Sequence, residues 1–179
     1  MHGQDRSFSF KLKQELRRAE SNGGTRIMTD IKDAILRDRF PVIVHTLLIE
    51  NGEVFLLQRQ RTGSMDGWYC LPGGHMQYGE TIKETAIREC FEEAGVHLNS
   101  IVLRDIYSYQ FEEEQGLNFV FLAEDWNGTA INAEPAVFDH GNFYRLDEIP
   151  PKTLGWVKDS ISSVRSGREG VSLIEDLNK

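Results

Sequence analysis

The sequence predicts an α+β fold in which a mixed β-sheet is flanked by helices, the layering of an α/β/α sandwich. Two observations support this prediction. Short β-branched and apolar stretches alternate with two amphipathic helical stretches, and glycine-rich turns separate them. A chain of 179 residues also suits one globular domain with room for an extension.

The N-terminal residues differ in composition from the rest of the chain. Residues 1–27 carry six basic and three acidic side chains, whereas the whole chain has a net charge of −8. Two adjacent glycines near the end of this stretch are typical of a linker. We expect residues 1–27 to be an N-terminal extension or accessory arm and residues 28–179 to form the main domain. A helix packed on that domain is the alternative for the first segment.

Strand signals begin near residue 40. Residues 42–49 are β-branched and apolar, and the turn Asn51–Gly52 predicts a hairpin with a partner strand at 54–59. His45 lies inside the first strand, where we expect a hydrogen-bonded core histidine more than a functional one. Residues 63–74 are rich in glycine and are predicted to form a loop.

A helix is predicted from about Thr81 to Ala94. Thr81 and Glu84 have the spacing of a capping box, and Gly95 is suited to the left-handed residue that ends a helix. The helical period predicts one buried face, composed of Ile82, Ala86, Ile87, Cys90 and Ala94.

The second half of the chain predicts two long strands, a short strand and a closing helix. The long strands are 101–111 and 117–124, joined by an acidic turn, and the short strand lies near 143–144. Aromatic residues alternate along both long strands, and we expect them to pair across the strands in the core more than to stack a base. The closing helix has an apolar stripe of Leu154, Val157, Ile161 and Val164.

Three carboxylates crowd one side of the first helix. Glu89, Glu92 and Glu93 fall within a sector of about 100° that borders the apolar face. Like charges at these spacings, near the C-terminal end of a helix, destabilise it. One interpretation is a solvated acidic face neutralised by Arg88. The other is a site for Mg²⁺, with Mn²⁺ as the alternative, because hard cations prefer oxygen ligands.

The residues around this sector fit one signature, G-x5-E-x7-R-E-U-x-E-E-x-G-U, in which U is apolar. Its positions are filled by Gly74, Glu80, Arg88, Glu89, Cys90, Glu92, Glu93, Gly95 and Val96. This pattern resembles the Nudix box of the Nudix hydrolase superfamily. The stretches 67–74, 126–135 and 146–150 are also similar to loops of MutT-like members, so the resemblance covers roughly residues 40–165. It implies a Nudix-type α/β/α sandwich.

The resemblance implies roles for the glutamates and for Arg88. Glu89, Glu92 and Glu93 would ligate Mg²⁺ together with the carbonyl of Gly74, and Arg88 would orient the glutamates by ion pairing. Glu80 would support the site, or it is a solvated residue at the helix start.

Residues outside the signature complete the implied site. Glu134 matches a position that supplies a further carboxylate in MutT-like members, and a simple loop carboxylate is the alternative. The general base stays open between Glu92 and Glu134. Arg59 and Arg61 follow the second strand and could contact phosphate, with an exposed strand end as the alternative.

The resemblance also implies an activity, the hydrolysis of a pyrophosphate linkage in a nucleoside diphosphate derivative. Marker residues of members that act on ADP-ribose, NADH or diadenosine polyphosphates are absent from their usual positions. A (deoxy)nucleoside triphosphate, including oxidised or noncanonical ones, is therefore the expected substrate, cleaved to monophosphate and pyrophosphate. Hydrolysis of a nucleotide sugar or another linked diphosphate, and a non-catalytic nucleotide-sensing module, are the alternatives.

Composition sets limits on partners. The negative net charge of −8 disfavours stable binding to nucleic acid, and it allows a phosphate-bearing small molecule held by a cation or an arginine. No apolar run approaches the roughly 20 residues of a membrane helix. Cys70 and Cys90 are too few for a disulfide framework, which favours a reducing, cytoplasmic location. The sequence leaves the oligomeric state open and allows a homodimer.

Overall fold

The computed structural model describes residues 40–111, 114–168 and 170–174. These residues form nine strands and two helices. In chain order they are β1 (Val42–Leu47), β2 (Ile49–Glu50), β3 (Glu53–Arg59), β4 (Tyr69–Cys70), β5 (Gly73–His75), α1 (Ile82–Ala94), β6 (His97–Phe111), β7 (Glu114–Asn127), β8 (Phe138–Arg145), α2 (Gly155–Arg165) and β9 (Ser172–Ile174).

The strands form two sheets. The first is mixed, with the order β5-β1-β7-β6-β9, in which β1 pairs with β7 and β6 with β9 in parallel and the other pairs are antiparallel. The second sheet is antiparallel, and β3 pairs there with β2, β4 and β8. The long antiparallel pair β6 and β7 gives the first sheet its centre, as expected from the two long strand signals.

Each helix covers a separate apolar core. Ala86, Cys90 and Ala94 of α1 pack in one cluster with Val44 and Phe121 of the first sheet. Side chains of α2 pack in a second cluster, together with Leu47, Val54, Tyr107 and Val120. Successive residues of a strand point to opposite faces, so these two clusters place the helices on opposite sides of the strands. The α+β prediction, with α/β/α layers, is confirmed.

Several strand predictions needed correction. Leu48 separates β1 from β2, so the apolar run at 42–49 is not one strand. The predicted loop 63–74 contains β4 and the start of β5, which exist because β3 and β1 offer them partners. The sequence also gave no signal for β9, a three-residue strand that pairs with β6. Such short strands are stabilised by distant partners and leave little periodicity to read.

Helix α1 has the predicted ends and a rotated buried face. The side chain of Thr81 accepts from the backbone of Glu84, whose own side chain accepts from the backbone of Thr81, and Gly95 is left-handed with φ of 71°. Ile87, predicted to be buried, is 42% exposed. Ile87 lies at one edge of the predicted buried face. The face that the structure buries is rotated away from Ile87, toward Glu93. The buried residues of α1 are Thr85, Ala86, Cys90, Glu93 and Ala94.

Two predictions about strand side chains are only partly right. Tyr107 and Phe121 are core residues, but Tyr107 lies opposite Asn118 and contacts Ser160, whereas Phe121 packs on the α1 side. In the register of β6 and β7, neither Tyr107 nor Phe121 therefore has an aromatic residue directly opposite it. The ring of His45 packs at a tilt against the ring of Trp156, with 4.5 Å between the centroids, and its buried Nδ1 has no hydrogen-bond partner within 3.5 Å in the described residues.

The predicted N-terminal extension lies outside the described residues, as do residues 112 and 113 of the acidic turn between β6 and β7. The boundary at residue 28 stays a prediction. Neither of the described helices has the length and apolar character that crossing a membrane requires.

Candidate active site

Strand β5 lies close against both β1 and α1 at two successive glycines. A Cβ at Gly73 would lie 2.2 Å from the carbonyl oxygen of Val44, and a Cβ at Gly74 would lie 2.4 Å from Oε1 of Glu89. Only glycine permits such approaches, because it has no Cβ. The two glycines therefore let the carboxylate of Glu89 rest directly on the backbone of β5.

Glu93 is a buried carboxylate on the same side of α1. Its residue is 8% exposed, and its Oε2 accepts a hydrogen bond of 2.8 Å from the backbone N–H of Gly73. Burial raises the pKa of Glu93 to about 8, and the negative charges of Glu89 and Glu134 act in the same direction. The Gly73 N–H and the charge of Arg59 oppose this shift. Burial likewise raises the pKa of Glu89.

Arg88 holds the carboxylates of three glutamates. Its Nε donates to Glu80 at 2.6 Å, and its second terminal nitrogen donates to the other oxygen of Glu80 at 3.0 Å. The remaining terminal nitrogen donates to Glu89 at 2.6 Å and to Glu92 at 2.9 Å. A further hydrogen bond of 3.2 Å reaches the carbonyl of His75. The planar guanidinium thus ties α1 to the residues before it.

Glu80 is part of this arrangement. Its carboxylate accepts from Arg88, from the hydroxyl of Thr85 at 3.1 Å and from the backbone N–H of Gln77 at 3.0 Å. Hydrogen bonding to Arg88 lowers the pKa of Glu80 to about 2, since it stabilises the charged form. The geometry favours the supporting role over a solvated residue at the helix start.

The loop between β7 and β8 covers the C-terminal end of α1. Backbone N–H groups of Ile131 and Ala133 donate to the carbonyls of Ala94 and Glu93, at 3.0 and 2.9 Å. These carbonyls lack partners within the helix, so the loop satisfies them. Glu134 follows immediately and is exposed, and its charge acts on Glu93.

The two predicted phosphate-binding arginines lie at the end of β3. Arg59 is half-buried and donates from its guanidinium to the carbonyl of Ser64 and the hydroxyl of Thr62, at 3.1 and 3.2 Å. Its charge also acts on Glu93, where it opposes the rise in the pKa of that carboxyl. Arg61 is exposed and has a left-handed backbone, with φ of 54°. Arg59 is therefore linked electrostatically to the site, whereas Arg61 is exposed to solvent.

The donor chemistry of the site suits a hard divalent cation. Glu89 and Glu93 offer oxygen ligands with little access to water, and burial, reinforced by the charge of Glu89, raises the pKa of Glu93. The described part of the chain nevertheless contains no ready-made group of three His, Cys, Asp or Glu side chains arranged around a metal position. Arg88 binds two of the predicted ligands instead. The residues fit the cation in kind, and Arg88 would have to release carboxylate oxygens to it.

Most predicted site residues therefore lie together. Arg88, Glu89, Glu92 and Glu93 lie in the C-terminal half of α1, Gly74 lies against Glu89, and the loop that carries Glu134 is hydrogen-bonded to the end of the helix. The sequence reasoning missed Thr85 and Gln60, which hold Glu80 and the Glu134 loop through side-chain hydrogen bonds. Nothing local distinguishes such polar residues from solvated ones, because their partners are set by the fold.

A match to a protein-family model identifies the family to which this fold belongs. The model of the NUDIX domain matches residues 39–163. The chain belongs to the NUDIX family. This range agrees with residues 40–165, over which the sequence resembles the family. Helix α1, which carries Arg88 and the three glutamates of the signature, is called the NUDIX helix below.

Individual relatives agree with this assignment. The chain is 39% identical to human "8-oxo-dGDP phosphatase NUDT18" over 98 residues, which are 53% of this chain and 28% of that protein. It is 28% identical to "8-oxo-dGTP diphosphatase" of Escherichia coli over 115 residues, 63% of this chain and 89% of that protein. The chain spans only part of two further relatives: 58% of "Uncharacterized Nudix hydrolase YvcI" of Bacillus subtilis and 28% of the mouse "8-oxo-dGDP phosphatase NUDT18".

A solved structure supports the fold alone. The crystal structure of a MutT NUDIX hydrolase from Burkholderia pseudomallei superposes with a TM-score of 0.66 at 22% sequence identity. The superposition covers 71% of this chain and 99% of that chain. The folds therefore agree over nearly the whole of the smaller protein.

Proposed function

We propose that this NUDIX protein is a metal-dependent hydrolase of a pyrophosphate linkage in a nucleoside diphosphate derivative. The proposed substrate is an oxidised or otherwise noncanonical (deoxy)nucleoside triphosphate, cleaved to monophosphate and pyrophosphate. One observation carries the proposal. The buried carboxylate of Glu93 is held against Gly73 beside that of Glu89, an arrangement of like charges that a bound cation would stabilise.

In this proposal the carboxylates have separate tasks. Glu89, Glu92 and Glu93, with the carbonyl of Gly74, would hold Mg²⁺, or Mn²⁺ in its place. Such a cation, when bound, neutralises phosphate charge and lowers the pKa of water. Arg88 keeps the glutamates of α1 in register by its ion pairs.

The proposed reaction adds water to one phosphorus and breaks a phosphoanhydride bond. The attacking water gives a proton to Glu92 or to Glu134, the two exposed carboxylates at this end of α1. Pyrophosphate leaves with the electron pair of the broken P–O bond. Arg59 and Arg61 contact the phosphates, and Arg59 also reduces repulsion between the substrate and Glu93.

The relatives support the base preference. Two proteins similar to this chain carry names that state an oxidised guanine nucleotide, one a diphosphate and one a triphosphate. The E. coli protein is matched over 89% of its length, and we take the triphosphate from it. The chain spans only 28% of the human protein, so the oxidised diphosphate is included in the substrate panel as a second candidate.

A substrate panel tests the proposal. Purified protein with Mg²⁺, with Mn²⁺ or with EDTA is incubated with ordinary and oxidised (d)NTPs and dNDPs, nucleotide sugars, ADP-ribose and NADH. We expect monophosphate and pyrophosphate from an oxidised dNTP, only when metal is present. Cleavage confined to a nucleotide sugar or another linked diphosphate would overturn the substrate class. Binding of nucleotides without any turnover would overturn catalysis in favour of a sensing module.

Carboxylate variants test the assignment of the site. Glu92→Gln and Glu93→Gln should each lower metal-dependent turnover by at least a hundredfold while circular dichroism shows an intact fold. Glu148→Gln is the matched control, because Glu148 is an exposed carboxylate next to β8. Near wild-type turnover in both site variants would overturn the metal assignment.

A cytoplasmic location and a homodimer stay predictions of the sequence.

A further inference from the structure

Gln60, which directly follows β3, makes three hydrogen bonds to the loop that carries Glu134. The backbone N–H of Gln60 donates to the carbonyl of Val137 at 2.8 Å. Its side-chain Nε2 donates to two more carbonyls of that loop, those of Pro135 at 3.0 Å and Phe138 at 2.8 Å. Gln60 thus binds three carbonyls on the C-terminal side of Glu134, although it lies 75 residues earlier than Pro135.

The N-terminal side of Glu134 is held as well. The side chain of Asn132 donates to the carbonyl of Phe138 at 2.9 Å and accepts from the backbone N–H of Glu134 at 3.1 Å. Phe138 therefore receives hydrogen bonds from both Gln60 and Asn132 through its carbonyl. The loop is a hydrogen-bonded unit that runs into β8, where Phe138 pairs with Arg59 of β3, and the side chain of Gln60 adds two hydrogen bonds to this connection.

The same loop is joined to α1 directly before Glu134. Ala133 donates to the backbone carbonyl of Glu93, the residue whose side chain is the buried carboxylate. Glu134 therefore follows directly on a residue that is hydrogen-bonded to Glu93. A shift of the loop relative to β3 would move Glu134 relative to Glu93. The effect of the Glu134 charge on the pKa of Glu93 agrees with this proximity.

We propose that Gln60 is a positioning residue that fixes the Glu134 loop on the C-terminal end of α1, so that the carboxylate of Glu134 faces the reaction site. This inference rests on the proposed function for its catalytic consequence. The placement itself rests on the hydrogen bonds of Gln60 and Asn132.

The amide is the group that the site requires. One Nε2 supplies two N–H donors, and both meet carbonyl oxygens. A carboxylate of the same shape has no donor and would repel both carbonyls. Gln60→Glu therefore tests the hydrogen bonds with little change in volume, and Gln60→Ala tests them without an added charge.

Hydrogen exchange tests the placement without any substrate. In Gln60→Glu and Gln60→Ala we expect at least tenfold faster exchange of the amides of Ile131 and Ala133, with unchanged exchange inside α1. Gln58→Ala is the matched control, because Gln58 lies two residues earlier, on β3, and its side chain donates to the carbonyl of Gly67 instead. Unchanged exchange at Ile131 and Ala133 in both Gln60 variants would overturn the placement.

Kinetics test the catalytic consequence. Gln60→Ala should lower kcat about tenfold with KM changed by less than twofold, because the loss concerns the position of a reacting group. In a Glu134→Gln background the same substitution should cost no further activity, since the two changes then remove one function. Additive losses in the double variant would overturn the role through Glu134.

The two proposals fail in different ways. A wild-type protein that hydrolyses no member of the panel would overturn the proposed function, and hydrogen exchange would then decide the placement alone. A wild-type protein that is active while Gln60→Ala retains full kcat would overturn the positioning role and leave the proposed function standing.

Discussion

The side chain of Glu93 accepts a hydrogen bond from the backbone N–H of Gly73 at 2.8 Å, across 20 residues of sequence. This contact joins the buried face of the NUDIX helix to strand β5, next to the glycine on which Glu89 rests. Two successive glycines therefore serve two needs. Gly73 allows β5 to pack against the backbone of β1, and Gly74 allows the carboxylate of Glu89 to approach the backbone of β5.

Gly73→Ala should destabilise the fold. The new Cβ would lie 2.2 Å from the carbonyl oxygen of Val44 and 2.7 Å from Cα of His45, and backbone atoms cannot move aside cheaply. We expect a loss of about 3 kcal/mol in the free energy of unfolding, measured by urea titration. Gly155→Ala is the control, because no heavy atom lies within 4 Å of a Cβ there. Equal stability of the two variants would contradict the packing argument.

Gly74→Ala should instead affect metal use. Its Cβ would meet the end of the flexible Glu89 side chain, with Oε1 at 2.4 Å, so the carboxylate can swing away. We expect a change of less than about 1 kcal/mol in the free energy of unfolding. The Mg²⁺ concentration for half-maximal hydrolysis should rise at least tenfold. An unchanged Mg²⁺ requirement would argue against Glu89 as a ligand.

Arg88→Lys should lower both activity and stability, although it keeps the charge. A lysine cannot reproduce the fork that meets Glu80, Glu89 and Glu92 together. We expect kcat/KM to fall at least tenfold and the free energy of unfolding to fall by about 2 kcal/mol. The control is Arg145→Lys, because the exposed guanidinium of Arg145 pairs with Asp147 in solvent and its replacement should leave stability nearly unchanged. Equal effects of the two substitutions would contradict the assigned geometry.

His45 should make the protein less stable in acid. Burial lowers the pKa of its ring to about 3, and the charges of Arg59 and His75 act in the same direction, whereas Asn118 opposes them. Below pH 6.5 the unfolded chain binds a proton that the folded protein does not, so stability falls as the pH drops from 6.5 toward 3. The loss attributable to His45 is about 2 kcal/mol at pH 5.

His45→Phe tests this dependence, because it keeps an aromatic ring against Trp156 and cannot bind a proton. Urea unfolding at pH 8 and pH 5, without added metal, should show a smaller loss for the variant than for the wild type. If both proteins lose the same free energy, another group controls the acid sensitivity.

Features that depend on neighbouring residues could be predicted from the sequence. The capping box of Thr81 and Glu84, the left-handed Gly95 and the grouping of Glu89, Glu92 and Glu93 on one helix all follow from spacing within a few turns. Ile87 shows the limit of this reasoning. It has the period of a buried residue and is exposed, because the angle at which a helix meets its sheet is set by the whole core.

Features that depend on distant partners could not be predicted. The strand at Gly73–His75 exists because β1 lies beside it, and the sequence indicates only a glycine-rich loop there. Gln60 has an ordinary polar side chain whose partners lie more than 70 residues away. Its role is invisible until the chain has folded.

The sequence by itself determined which carboxylates share the NUDIX helix, because a helix converts spacing into direction through local backbone hydrogen bonds. Only the tertiary structure decided how those carboxylates differ. Glu93 is buried against Gly73, Glu89 rests on Gly74, and Glu92 stays exposed. Burial and electrostatic repulsion depend on the groups that surround an atom in space, and those groups come from strands and loops far away in the chain.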